Sequence, residues 1–273
     1  MLSTSASPRI VTRLRTLGAV LTVSAFALAG CSGGSSEGSK GSDAGTEDVK
    51  QTITIFAAAS LQGPLDDVAK AFTTAHPEYD IAPIDYDGSQ ALATQAIDGA
   101  DVDVLAFASE ASLDPLTKAG ITDSSEIFAT NTLEIAVAPG NPKKITSFDD
   151  LTATGTSLVT CASEVPCGQA TDTVEKATGT TLKPVSEETN VTSVVNRVSQ
   201  GEADAGLVYT TDIKAAGDKL EGVEFPESKQ AVNKYPVAVP TKAKHAEGGK
   251  VFEKFLLSDD GQKVLHDAGF GAP

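Results

Sequence analysis

The sequence predicts an α/β protein of two lobes, each a mostly parallel sheet flanked by helices. Three observations carry that expectation. From Thr52 onward, strand-like runs alternate with helix-like runs, the order expected of parallel strands with helices on both faces. The alternation occurs twice, with the apolar run Leu133 to Val137 between the two series. The chain has 273 residues, 40% of them hydrophobic, enough for one large domain or two lobes with a sizeable core.

The first 30 residues stand outside that pattern. Arg9, Arg13 and Arg15 precede an uncharged apolar run, Leu17 to Gly30, which is short for a membrane span and reads as a secretory signal peptide over 1–30. The run ends in Leu28-Ala29-Gly30-Cys31, which resembles the lipobox of bacterial lipoproteins and implies cleavage before a diacylglyceryl-modified Cys31. The alternative is an ordinary signal peptide with an incidental cysteine. Residues 31–50 then form the lipidated cysteine and a Gly/Ser-rich tether without core-forming residues. Its 19 residues from Ser32 to Lys50 would reach about 25 Å as a flexible chain.

In the folded part, Thr52 to Ala58 is the first strand. In the following helix Leu65, Val68, Ala69 and Phe72 share one face. Tyr79 to Asp87 gives a second strand, Ser89 to Gly99 a second helix closed by its glycine, and Val102 to Ser109 a third, buried strand. After the Leu133 strand and its Pro-Gly-Asn-Pro turn come strand Thr156 to Cys161, helix Cys167 to Gly179, helix Val191 to Gly201, and strands Ala205 to Asp212 and Tyr235 to Pro240. Two helices close the chain, the first carrying an apolar stripe of Val251, Phe252, Phe255 and Leu256. The expected division is a first lobe of 51–133 plus 241–273 and a second lobe of 134–240.

Charge and motif content exclude several functions. A formal net charge of −16 leaves no basic surface to neutralise phosphates, so nucleic acid is not expected as a partner. There is no Walker loop, no G-x-G-x-x-G and no G-x-S-x-G elbow, and the three histidines lie far apart in sequence. The acidic pairs read as solvated surface or cap charges. No catalytic residue, metal site or cofactor is expected. Cys161 and Cys167, with five residues between them in an exported chain, read as a small disulfide loop or as two free thiols, the first being the expectation.

What remains is a set of helix starts. Ser60 follows three alanines, Ala57 to Ala59, and stands at or next to a helix N-cap; Ser89 takes the same place after Asp87-Gly88. Pro166 opens the helix containing Cys167, and Thr189 or Asn190 caps the helix containing Val191. Each alone is an ordinary cap. Small neighbours at Ser60, Ser89 and Cys167 let a ligand approach the backbone, and converging helix N-termini can hold an anion without lysine or arginine.

As a set, these motifs are similar to those of the periplasmic molybdate-binding proteins of ABC transporters, within the extracytoplasmic solute-binding proteins. The likeness rests on Ile53 to Leu61, Gly88 to Ser109, Glu164 to Gly168, Asn190 to Asp212 and Tyr235 to Val239, in that order, and spans nearly all of 52–273. It implies a type II periplasmic-binding-protein-like fold with the ligand in the cleft between lobes. It further implies that molybdate or tungstate is bound by hydrogen bonds alone: hydroxyls from Ser60 and Ser89, backbone N–H groups from Cys167 and Val191, and the phenol of Tyr209. A Cys161–Cys167 disulfide would stiffen the anion loop. Two departures stand out: Gln90 where the family often has a small residue, and Cys167 where many relatives have alanine. The implied partners are an ABC permease with its ATPase and, through the lipid on Cys31, the outer face of the cell membrane; the implied state is a monomer. A site made only of donors would favour a fully deprotonated dianion over phosphate. The alternatives are a receptor for another oxyanion such as sulfate, a receptor for a small carboxylate or, in a different class, a surface-anchored α/β hydrolase or adhesin.

Overall fold

A computed structural model describes residues 50–273. The expected signal peptide at 1–30, the lipidation at Cys31 and all but the last residue of the 31–50 tether lie outside the described residues.

The first series builds β1 (Gln51–Ile53), β2 (Ile55–Ala58), α1 (Pro64–Ala75), β3 (Tyr79–Ile81), β4 (Asp85–Asp87), α2 (Ser89–Ile97), β5 (Val104–Ala106), α3 (Asp114–Lys118) and β6 (Glu126–Asn131). The second builds β7 (Leu133–Val137), β8 (Leu158–Cys161), α4 (Pro166–Thr178), β9 (Ser186–Glu188), α5 (Val191–Ser199), β10 (Ala205–Tyr209), α6 (Thr210–Ala216) and β11 (Glu221–Val223). The chain then returns through β12 (Asn233–Ala238), α7 (Ala246–Leu256) and α8 (Asp259–Ala268).

Two five-stranded sheets result, in the orders β4-β2-β5-β12-β6 and β11-β7-β10-β8-β9. In each, one strand runs against the other four: β12 in the first and β7 in the second. These are the strands that receive the chain each time it crosses between sheets. The first crossing falls at Thr132, between β6 and β7. The second falls between β11 and β12. The expected lobe boundary at 240 is therefore displaced, because β12 lies between β5 and β6 in the first sheet. Its Tyr235, Val237 and Ala238 are all fully buried there. An apolar run states that a strand is buried but not which sheet buries it.

The expected long strands at each end of α1 are also divided. Thr54 separates β1 from β2, and β1 pairs with β3 in a separate two-stranded ribbon while β2 pairs with β4. The helical faces fall where their periodicity put them. Leu65, Val68, Ala69 and Phe72 of α1 are buried, and Phe72 meets Phe252 and Phe255 of α7 edge-on at 5.1 and 5.6 Å. Burying one such phenylalanine contributes about 1.5–3 kcal/mol. Val251 is half-buried, at the margin of its stripe. Each sheet has its own core, with Ile55, Val104 and Phe128 in the first and Ile135, Leu158 and Leu207 in the second.

Candidate functional site

Within each sheet the strands that lead to the site run parallel to one another and reach it by their carboxyl ends, the usual place for ligands in open α/β sheets. β2 delivers Ala58, Ala59 and Ser60; β4 delivers Asp87, Gly88 and Ser89; β5 delivers Ala108. From the second sheet, β8 leads to Val165, Pro166 and Cys167, β9 to Asn190 and Val191, and β10 ends in Tyr209. These residues line one small pocket of about 10 Å³, far below the span typical of drug-sized ligands. All five residues singled out from the sequence line it, each at most 6% exposed.

The local geometry differs from expectation at Ser60 and agrees with it at Ser89. Ser60 is not at the cap of α1 but inside a 3₁₀ turn, Ala59–Leu61, and α1 begins at Pro64 after Gly63. Proline is accepted at a first helical position because its missing N–H would have no partner. Ser89 is the first residue of α2, with Gly88 as its cap. The starts of α4 at Pro166 and of α5 at Val191 fall in the expected first turns, and Asn190 is the cap of α5, its Oδ1 accepting from Ser193 N–H at 2.9 Å.

The two serines are held by oxygen. Ser89 Oγ accepts from Ala108 N–H at 3.1 Å, so its own hydrogen is free to point into the pocket. Ser60 Oγ lies 2.9 Å from Tyr235 Oη. Cys167 and Val191 stand in first helical turns, where N–H groups have no intrahelical acceptor. Both side chains turn into the second core, leaving the main chain to face the pocket. Tyr209 is 1% exposed and its phenol oxygen has no hydrogen-bond partner. Burial holds that phenol well above its ordinary pKa, with Tyr235 and Asp212 adding to the effect, so it stays a donor. A disulfide joins Cys161, at the end of β8, to Cys167 and closes the loop that presents the Cys167 N–H.

No lysine, arginine or histidine lines the pocket, so helix ends and hydroxyls are what it offers to negative charge. One lining residue is itself a carboxylate. Asp87 Oδ1 accepts from Gly88 N–H at 2.7 Å and from Asn190 Nδ2 at 2.9 Å, a bond that spans the two lobes. The expectation of donors alone is corrected by this side chain. Its signal in the sequence was its place at a strand end directly before the Gly-Ser start of α2.

Other bonds bridge the lobes around the pocket. Gln90 Nε2 donates to Thr189 O at 3.0 Å and Ser109 Oγ to Gln169 Oε1 at 3.1 Å, and Asn233 Nδ2, which donates to Ala108 O at 2.8 Å within the first lobe, reaches Pro166 O of the second at 3.4 Å. Gln90, the departure from the family pattern, thus spends its amide on the opposite lobe. Glycine is required at 88 because a methyl group there would overlap the Thr189 carbonyl oxygen. Gly168 is required next to Cys167 because the Ala162 carbonyl oxygen would occupy its Cβ position. Among the described residues no cluster of metal-ligating side chains occurs and no helix is long and apolar enough to cross a membrane.

Comparison with known proteins agrees with this geometry. The family model described as "Bacterial extracellular solute-binding protein" matches residues 53–271. The molybdate-binding protein ModA of Mycobacterium tuberculosis is 41% identical over 252 residues, which are 92% of this chain and 96% of that protein. Among solved structures, the periplasmic molybdate-binding protein of Azotobacter vinelandii superposes with a TM-score of 0.70 at 18% identity, covering 81% of this chain and 99% of that one. The sulfate-binding protein SubI of M. tuberculosis superposes with a TM-score of 0.71 at 20% identity, covering 81% and 86%. At these identities the two superpositions establish the fold. The matched family and the ModA relative establish more: this chain belongs to the bacterial extracellular solute-binding proteins, a family of receptors rather than enzymes.

Proposed function

We propose that this protein binds molybdate, and tungstate with it, outside the cytoplasm and delivers the anion to an ABC importer. The observation that supports it best is the buried phenol of Tyr209, without a partner in a pocket that holds no cationic side chain. An unpaired buried hydroxyl costs about 1–3 kcal/mol, a cost removed when an oxyanion accepts its hydrogen. In this reading Ser60 and Ser89 donate from the first lobe and Cys167 N–H, Val191 N–H and Tyr209 Oη from the second, so the anion favours the state in which the lobes meet. The 41% identical ModA gives the anion its name. Lipid on Cys31 and the 31–50 tether hold a monomeric receptor at the outer face of the membrane, within reach of a permease and its ATPase.

Titration calorimetry with molybdate, tungstate, sulfate and phosphate tests the reading. Strong heats are expected for the first two alone. Hydrogen bonds to a charged group contribute about 1.5–3 kcal/mol, so Ser60→Ala and Ser89→Ala should each weaken molybdate binding by roughly tenfold or more. Unchanged affinity in both variants would remove the site assignment, and sulfate binding in place of molybdate would leave the site and change the anion.

A further inference from the structure

We infer that Tyr235 is a positioning residue: with Asn131 it forms a hydrogen-bond relay that fixes the direction of the Ser60 hydroxyl and turns its hydrogen toward the pocket. The inference rests on the reading of Ser60 as an anion ligand and extends it to residues that do not line the pocket.

The direction of each bond follows from the one donor whose role is unambiguous. Thr132 N–H can only donate, and it lies 3.0 Å from Asn131 Oδ1, which also accepts from Thr210 Oγ1 at 2.8 Å. The other arm of the Asn131 amide is therefore its NH₂, and it donates to Thr211 Oγ1 at 2.8 Å and toward Tyr235 Oη at 3.5 Å. Tyr235 cannot give its hydrogen to Asn131, since an NH₂ has no acceptor to offer. Tyr235 is fully buried, and the partners in hydrogen-bond geometry with its hydroxyl are Asn131 Nδ2 and Ser60 Oγ. The acceptor left for the Tyr235 hydrogen is Ser60 Oγ, 2.9 Å away. An ionised Tyr235 could not donate, but burial raises this phenol above its ordinary pKa. Ser60, already accepting, has its own hydrogen left for the pocket.

Ser89 supports the same logic by a different route. Its oxygen accepts from Ala108 N–H, a donor that cannot reverse. Tyr235 does for Ser60 what a main-chain N–H does for Ser89. The relay also begins at Thr132, where the chain first crosses between lobes, and at Thr210, which donates its N–H to Thr132 O at 3.1 Å, so the donor set of the first lobe is oriented by residues at the junction.

The test is a double-mutant cycle read by molybdate calorimetry on Ser60→Ala, Tyr235→Phe and the double variant. Tyr235→Phe keeps the ring, which packs edge-on against Phe128, Tyr209 and Phe270, and ligand-free melting checks that the fold is kept. The expected result is a roughly fivefold to tenfold loss for Tyr235→Phe in the parent chain and less than about twofold in the Ser60→Ala background. Asn131→Asp gives a second route: a carboxylate would draw the Tyr235 hydrogen to itself, and the resulting loss should again disappear in the Ser60→Ala background. Equal losses in both backgrounds, or no loss for Tyr235→Phe in the parent chain, would overturn the relay. No loss for Ser60→Ala itself would overturn the ligand role of Ser60 instead.

Discussion

The two lobes meet the pocket with different chemistry. The first lobe offers side chains: Ser60 and Ser89 present hydroxyls whose oxygens are already engaged. The second offers mainly its backbone, since Cys167 and Val191 bury their side chains in the core and turn first-turn N–H groups toward the cavity. A hydroxyl can rotate and needs a partner to aim it. A helix N-terminus is aimed by the helix itself and needs only to be held in place, by the disulfide at α4 and by the Asn190 cap at α5. It follows that the first lobe is open to ordinary substitution, whereas the second tolerates a change of side chain and yields only to a change in the main chain.

Proline at 191 tests the main-chain half of this comparison. Asn190 has φ −157° and ψ 163°, an extended conformation close to that preferred before proline, and Val191 is the first residue of α5. Val191→Pro should therefore keep the helix while deleting one N–H, weakening molybdate binding by roughly tenfold. Val191→Ala removes buried methyl groups and should lower the melting temperature, yet leave affinity within about twofold. Calorimetry and thermal melting on both variants give the answer. Equal affinity in the two would show that the second lobe does not bind through its backbone at that position.

Tyr209 is the exception on its side, a side-chain donor in a lobe of backbone donors. Tyr209→Phe should weaken molybdate binding by about fivefold to tenfold while leaving the ligand-free protein as stable or slightly more so, because the orphaned hydroxyl is gone. A fall in ligand-free melting temperature with unchanged affinity would mean that the phenol serves the fold and not the ligand.

Legibility in the sequence followed the same divide. The stripe Leu65, Val68, Ala69 and Phe72 and the run Val104 to Ala106 were readable because period and apolarity are local properties. The helix starts at Ser89, Pro166 and Val191 were readable from cap chemistry, and of the three alanines at 57–59, Ala58 and Ala59 line the pocket. Sheet membership was not readable: Tyr235 to Ala238 is an apolar run like any other until its partners β5 and β6 are seen. Asp87 and Tyr235 escaped for a related reason. A carboxylate at a strand end and a tyrosine in an apolar run gain their roles from atoms about one hundred residues or more away, at Asn190 and Ser60. The grouping of the five residues that line one pocket came from the family resemblance, since helix starts taken singly do not say which of them meet.

The smallest expected effect concerns the carboxylate that stands behind the second lobe's donors. Asp212 accepts from Tyr209 N–H at 2.8 Å, and burial pushes its carboxyl up to about 7 against that lowering bond. A carboxyl raised in the folded state favours its neutral form, so its contribution to stability is full below the unfolded value and is lost as pH rises through about 7. The residue is half-buried, so water screens part of the effect, leaving on the order of 1 kcal/mol. Once ionised it places negative charge beside Tyr209, and by reciprocal linkage molybdate affinity should fall by roughly twofold to threefold between about pH 6 and pH 8. Asp212→Asn keeps an acceptor for the Tyr209 N–H and removes the charge. Its binding and melting curves should be flatter across that window than those of the parent chain. If both proteins keep the same pH slope, Asp212 does not contribute to it. The second lobe's electrostatics would then reside in its helix ends alone, which is the comparison between the lobes in its strongest form.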